Sequence, residues 1–540
     1  MIARDAAEVA EVVGGRVLEG AAPAGAGDTR DPHPLTGVAV LDSRVAGPGD
    51  LFVAVPGSRV DGHDHVAGAV GAGAAAALVQ HEVPGAESLA APLVLVDDTP
   101  AALTTLARWT AARARENGTR TVGITGSAGK TTTKDLLAAV LRALTATAED
   151  AARSPGDDGP GLVPGRDRVV VATPGSYNNE LGLPLTVLRA DATTRLLVLE
   201  MGARGAGHVA HLAGIARPDV AVVIGVGSAH LSEFGSREAI AEAKGELVEA
   251  LDADDPAALA VLNGDDALVR AMADRTRAAT VLFGTGLHCP VRAEDVDLDD
   301  DARLRFTLVD DRGHAAGPGR APVRLRLTGE QHLPNALAAA AAALHLTGAA
   351  VADVAAALSQ AAPASRYRME VVDRPDGVRV VNDAYNASPE AVAAALRALA
   401  HVGRSAHPRR RTWAVLGEML ELGEHSREAH DRVGRLAVRL NIDRLVAVGP
   451  GALPLHAGAA HEGSWGEESV HVPDVDAARA LLAEELAPGD VVLVKASNSV
   501  GLWRLGEELA TAVAPVDGPG DRPGTRPSAD PRTDPQETTR

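Results

Sequence analysis

Residues 121–134, Thr-Val-Gly-Ile-Thr-Gly-Ser-Ala-Gly-Lys-Thr-Thr-Thr-Lys, constrain the fold of this chain more than any other stretch. The β-branched start, 121–124, predicts a buried strand. Gly123, Gly126 and Gly129 recur at a spacing of three, and Leu136, Leu137, Val140, Leu141 and Leu144 then share one helical face. Strand, glycine turn and helix start together make a phosphate cradle. Glycines let backbone N–H groups approach the oxygens, and the helix N-terminus adds unpaired donors and positive partial charge. Lys130 is placed to reach the β/γ-phosphates and the Thr131 hydroxyl to ligate Mg²⁺. Ile124 stands where the strict pattern has glycine, so the turn is a short variant. ATP or GTP is the expected ligand.

A chain of 540 residues, 46% of them hydrophobic, can bury several cores, here built on Ala, Val and Leu because aromatics are only 2%. A net charge of −20 argues against nucleic acid or an anionic membrane as partner. The single cysteine, Cys289, excludes an internal disulfide or a cysteine metal cluster. No basic-then-apolar leader opens the chain, and the alanine-rich runs 68–80 and 335–346 are too short to cross a bilayer. A soluble, cytoplasmic protein is expected.

Three α/β units follow from the pattern. In residues 1–115, Asp42-Ser43-Arg44 and the polar 61–65 flank a short apolar strand at 51–55. Carboxylate, hydroxyl and guanidinium within three residues suit a polar ligand as well as a capped turn. The central unit, 116–362, continues from the phosphate turn through an Asp/Gly/Pro-rich surface loop at 146–168 to a strand at 169–172. Asn178 and Asn179 follow among turn formers. The run 196–200 is four apolar residues ending in Glu200, as in a parallel strand buried on both faces. Ligands sit beyond the carboxyl ends of such strands, which puts Glu200 near Mg²⁺ on a nucleotide. A second such strand, 219–226, precedes His230, for which structural and ligand roles are both open. Ser236 can cap a helix running to Leu251. Lys244 lies on its apolar stripe with Ile240 and Val248, either snorkelling or buried as a free amine. Asp265 and Asp266 read as caps, and 285–328 as short strands with acidic loops. The third unit, 363–515, alternates strands at 378–381, 413–416, 445–448 and 491–495 with helices, giving a second open parallel sheet. Residues 516–540 read as a disordered tail.

Several stretches carry a family resemblance: 125–134, the Ser-Tyr-Asn-Asn-Glu-Leu-Gly-Leu-Pro-Leu-Thr run to Thr186, Glu-Met-Gly-Ala-Arg from Glu200, and Ala-His-Leu to Leu231 with Ala-Lys-Gly-Glu to Glu246. To these add Asp-Ala-Tyr-Asn-Ala-Ser-Pro from Asp383 and Leu-Gly-Glu-Met-Leu-Glu-Leu-Gly from Leu416. Over about residues 40–506 the chain resembles the Mur ligase family of cell-wall synthesis. The last two stretches favour the branch adding D-alanyl-D-alanine to UDP-N-acetylmuramoyl-tripeptide, because the Asp-Asn-Pro-Arg signature of the diaminopimelate- or lysine-adding siblings is missing.

The resemblance implies a small N-terminal α/β substrate domain, a central P-loop parallel-sheet ATPase domain and a C-terminal Rossmann-like domain. It further implies an acyl-phosphate mechanism with ATP and Mg²⁺ and a monomeric enzyme. Ser43 and Arg44 would line the UDP-sugar site. Gly126, Ser127, Ala128, Gly129, Lys130 and Thr132 would hold ATP phosphates. Thr131, Glu200 and His230 would ligate Mg²⁺. Lys244 matches a lysine that siblings carbamylate to support a second Mg²⁺, so Lys130, His230 and Lys244 would form the catalytic set. Asn335 would contact adenine, and Arg368 matches the arginine at the hinge into the third domain. Asn178, Asn179, Asp383, Tyr385 and Asn386 would face the substrates. Gly225, Leu333, Ser388 and Asn498 depart from the family pattern. Another amino-acid acceptor, or a non-catalytic nucleotide or muropeptide sensor, are the competing readings.

Overall fold

The structure, a computed structural model, describes residues 1–3, 5–19, 34–57, 60–146, 169–227, 231–313, 319–463 and 468–512. His230, the expected tail and all but the first residue of the expected 146–168 loop lie outside these.

The chain forms three sheets in sequence. The first is built from β1 (Arg16–Leu18), β2 (Ala39–Val40), β3 (Leu51–Val53), β4 (Ala76–Val79) and β5 (Leu93–Leu95), in the order β1-β5-β4-β3-β2. All its pairings are parallel except β1 with β5. The apolar run expected at 51–55 is therefore real but shorter.

The second sheet has nine strands: β6 (Arg120–Thr125), β7 (Val170–Ala172), β8 (Leu196–Glu200), β9 (Val220–Val223), β10 (Leu259–Asn263), β11 (Ala279–Gly284), β12 (Val291–Leu298), β13 (Arg303–Asp310) and β14 (Gly319–Thr328). Their order is β14-β13-β12-β11-β10-β9-β6-β8-β7. The chain leaves β6 first towards β7 and β8 on one side and later towards β9, β10 and β11 on the other. Neighbouring connections diverge at β6, and that is where an open sheet makes a ligand crevice. Residues 291–328 differ from the short strands expected. They form long antiparallel strands that extend the sheet, and β14 alternates exposed and buried residues along Arg-Leu-Arg-Leu, as an antiparallel strand with one wet face does.

The helix Lys130–Thr145 follows β6 and buries Leu136, Leu137, Val140 and Leu141 under the sheet. The helix Leu333–Thr347 packs against it through an unbroken buried run of alanines, Ala338 to Ala343. Small side chains let the two helices lie close and bring Asn335 to the glycine turn. The third sheet comprises β15 (Glu370–Asp373), β16 (Arg379–Asn382), β17 (Thr412–Leu416), β18 (Arg444–Val448), β19 (Ser469–Val472) and β20 (Val491–Lys495). It is ordered β15-β16-β20-β17-β18-β19 and is parallel apart from β15. Among the described residues no helix is long and apolar enough to cross a membrane.

On the third sheet, the helices Ser426–Arg439 and Leu453–Glu462 cross at two glycines. A Cβ on Gly434 would strike the Leu455 carbonyl oxygen, and one on Gly458 the Asp431 carbonyl. Gly214, in the helix His208–Ala216, has open space instead. Gly434→Ala is expected to lower stability by about 1–3 kcal/mol and Gly214→Ala to raise it by about 0.5–1 kcal/mol. Opposite signs in denaturant unfolding check the crossing.

Candidate active site

The parallel strands β6, β8 and β10 end on Thr125, Glu200 and Asn263 at the same edge. In register, Ile124 of β6 lies beside Glu200 of β8, and Thr125 beside Val223 of β9. The turn after β6 therefore opens between the ends of β8 and β9. Gly129 takes φ +83°, and a Cβ there would collide with the Asn335 amide oxygen, so glycine is required on both counts. With Gly129 at the cap no side chain satisfies the helix start, and the first N–H groups of Lys130–Thr145 face the turn without intrahelical acceptors. Ser127 Oγ is buried without a partner among the described residues, while its N–H donates to the Gly225 carbonyl at 2.9 Å. These unfilled donors suit phosphate oxygens.

Thr131 and Glu200 are both buried and touch directly. Thr131 Oγ1 donates to Glu200 Oε2 at 2.7 Å, and Asn178 Nδ2 donates to Glu200 Oε1 at 2.6 Å. Among the described residues Glu200 has no ion-pair partner within 4 Å. A carboxylate this buried with only neutral donors is costly, and its convergence with a hydroxyl forms a hard-oxygen set that fits Mg²⁺. Lys130, half-buried, donates from Nζ to the Gly126 carbonyl at 2.7 Å. Burial lowers its pKa, and the charge of Glu200 offsets that in part.

Lys244 sits in the helix Arg237–Glu249, capped as expected by Ser236, whose Oγ accepts the Ala239 N–H. Its side chain is buried, which excludes snorkelling. Burial first, and the nearby Lys130 charge second, pull its pKa down to about 7. His332 is buried beside Asn335, 3.3 Å from Nδ1 to the amide nitrogen, with burial pushing it down to about 4 and Nε2 without a partner among the described residues.

The third sheet contributes from its own carboxyl edge. Lys495 ends β20, between β16 and β17. Its Nζ meets Asp383 Oδ2 at 2.5 Å and donates to the Asn386 carbonyl at 2.9 Å. Arg368 reaches back to the central unit. Its Nη2 donates to Ser176 Oγ at 2.9 Å while the guanidinium lies 4.3 Å from the Tyr385 ring centre. Tyr367 and Met369 on either side of it take φ +60° and +53°.

Among the sequence-derived residues, then, Gly126, Ser127, Ala128, Gly129, Lys130, Thr131, Thr132, Glu200, Asn178 and Asn335 gather at one turn, with Arg368, Tyr385, Asp383 and Asn386 linked to it or to one another. Asn179 instead closes the turn that leads into the helix Gly182–Val187, its Oδ1 accepting the Gly182 N–H at 2.8 Å. Arg44 is exposed and forks onto Asp42, at 2.9 and 2.6 Å, with Ser43 between them. This pairing and hydrogen bonding hold Asp42 down to about 2. Asp266 is a helix cap, as expected. Sequence reasoning missed Ser176, Lys495 and His332. Lys495 carried a signal, since its apolar strand ends in a charge just as β8 does.

Profiles of known families match all three parts. The Mur ligase family catalytic domain matches residues 38–109, the Mur ligase middle domain 124–343, and the Mur ligase glutamate ligase domain 367–498. The UDP-N-acetylmuramoyl-tripeptide–D-alanyl-D-alanine ligase of Mycobacterium tuberculosis is 46% identical, over 94% of this chain and 98% of that one. The ligase of the same name from Bacillus subtilis is 33% identical over 94% and 99%. Among solved structures, MurF from Acinetobacter baumannii superposes with a TM-score of 0.73 at 26% identity, covering 95% of this chain and 100% of that one. MurF ligase from Thermotoga maritima in complex with ADP gives 0.67 at 31%, covering 88% and 97%. Sequence, domain order and three-sheet architecture agree, and the chain belongs to the Mur ligase family.

Proposed function

We propose that this protein is an ATP-dependent ligase that joins D-alanyl-D-alanine to UDP-N-acetylmuramoyl-tripeptide in cytoplasmic peptidoglycan precursor synthesis. The observation that carries the reading is identity of 46% with ligases of that name along 94% of the chain. The Thr131–Glu200 pair beside the glycine turn supports it physically. A monomeric enzyme is part of the same reading.

A peptide carboxylate is a poor electrophile and must be activated. In this reading the tripeptide carboxylate takes the γ-phosphoryl group of ATP, leaving ADP and an acyl phosphate. The dipeptide amine, having lost its proton, attacks the acyl carbon, and the tetrahedral intermediate collapses to amide and phosphate. Residues 126–132 hold the phosphates through backbone N–H groups and hydroxyls, and Lys130 offsets their charge. Thr131 and Glu200, with His230 by resemblance, would hold Mg²⁺, which when bound would neutralise charge on the transferring group. Asn335 meets adenine. Lys244 supplies a carboxylate-like group once its free amine has captured CO₂. Ser43 and Arg44 bind the UDP end, and Asp383, Tyr385 and Asn386 face the nucleotide and dipeptide.

In a substrate panel, ADP release is expected only when UDP-tripeptide and D-alanyl-D-alanine are both present; release with diaminopimelate or lysine in place of the dipeptide would select a different acceptor. Lys130→Ala should cut turnover by about 10²–10³-fold; growth of cells carrying it as sole copy would support a sensor instead.

Lys244 gives a pH prediction. Its folded pKa of about 7 lies below the unfolded 10.5, so between these values the unfolded chain holds a proton that the folded chain lacks. Stability contributed here rises with pH across that window, and burial of the charge is most costly below it. Lys244→Met should raise the thermal midpoint at pH 7 in CO₂-free buffer while abolishing turnover. Wild-type activity should fall when CO₂ is stripped and return with bicarbonate.

A further inference from the structure

We propose that Ser176 is a positioning residue that couples the hinge arginine, Arg368, to the Thr131–Glu200 pair; this rests on the reading that the pair holds Mg²⁺. Hydrogen-bond accounting leaves one arrangement. Glu200 accepts at both oxygens, one from Asn178 and one from Thr131. A threonine hydroxyl has a single proton, so Thr131 spends it on Glu200. Ser176 Oγ, 3.0 Å from Thr131 Oγ1, must then be the donor in that contact. Guanidinium groups only donate, so Ser176 accepts from Arg368 Nη2 at 2.9 Å. The chain of donors runs one way, Arg368 to Ser176 to Thr131 to Glu200, and each link polarises the next.

The first member of this chain is fixed from the third sheet. Arg368 lies over Tyr385. Its neighbours hold left-handed backbone angles that cost energy unless other contacts determine them. Those contacts are present: the Met369 N–H donates to Asp383 Oδ1 at 3.0 Å, and Tyr367 Oη to Glu507 Oε1 at 2.7 Å. A second tether from the same segment reaches the helix that follows the glycine turn, with Ser365 Oγ donating to Asp135 Oδ2 at 2.5 Å. The position of the third domain thereby sets Arg368, and through Ser176 sets the hydroxyl that would hold the cation.

The test measures ADP binding to the full chain by calorimetry with and without Mg²⁺, taking the Mg²⁺-dependent gain in affinity as the readout. Ser176→Ala should reduce that gain about tenfold and leave metal-free ADP affinity unchanged, while Ser176→Thr retains the gain. Ser176→Cys, close in size but a weak donor, should behave like the alanine variant and decides the matter if the latter does not fold. Ser176→Ala combined with Arg368→Ala should lose no more of the gain than Arg368→Ala alone, as members of one chain do. An unchanged gain in both Ser176→Ala and Ser176→Cys, or additive losses in the double variant, would overturn the coupling. Glu200→Gln separates the two layers: if it keeps the gain, the metal reading itself fails, and if it loses the gain while Ser176→Ala keeps it, only the coupling fails.

Discussion

A buried carboxylate surrounded by neutral donors governs this molecule. Glu200 ends a fully buried strand, so its charge cannot reach water, and it is met by a hydroxyl and an amide. Such a group is unfavourable unless positive charge lies near it, and Lys130 supplies part of that charge. The fold tolerates it because β8 adjoins β6, where the glycine turn offers unfilled N–H groups to an anion. In the proposed reading, cation and anion would take complementary seats one strand apart. The remaining architecture serves to hold these seats still: alanine packing presses Asn335 onto Gly129, and the third sheet reaches over with Arg368.

Sequence made the seats legible for specific reasons. An apolar run closing on a charge, as in Leu196–Glu200, has few explanations other than a buried parallel strand with a functional end. A lysine at helical spacing from Ile240 and Val248 must be buried or bent away, and the structure chooses burial. The antiparallel extension β12–β14 was harder, because acidic residues between the strands masked the Arg-Leu-Arg-Leu alternation that specifies it. Ser176 opens a run that the family resemblance singled out, but its role was not legible. Its partners lie 45 residues before it and 192 after, and no local pattern records a contact made only when the hinge segment returns to the central sheet.

The departures from the family pattern have mild structural readings. Gly225 keeps its carbonyl bond to Ser127, and a Cβ there would meet nothing closer than Asp266 Oδ2 at 3.7 Å, so the backbone does not require glycine. Leu333 begins the alanine-rich helix with ordinary helical angles. Ser388 caps the helix Pro389–Ser405 through its Oγ, a task an asparagine would perform equally. Asn498 is exposed and, with Asn386, Ser388 and Glu421, borders a cavity of about 200 Å³ at the carboxyl edge of the third sheet. None of the four removes a group from the glycine turn or from Glu200.

The exposed fork of Arg44 on Asp42 and the enclosed Glu200 respond to different surroundings. Mobile counter-ions can crowd around the former and weaken the attraction between its two charges, since their atmosphere is only about 8–10 Å thick at physiological ionic strength. The latter is buried, with Thr131 and Asn178 on its two oxygens, so a diffuse ion atmosphere screens it far less. Added salt should therefore weaken the Arg44–Asp42 pairing well before it disturbs the contacts of Glu200.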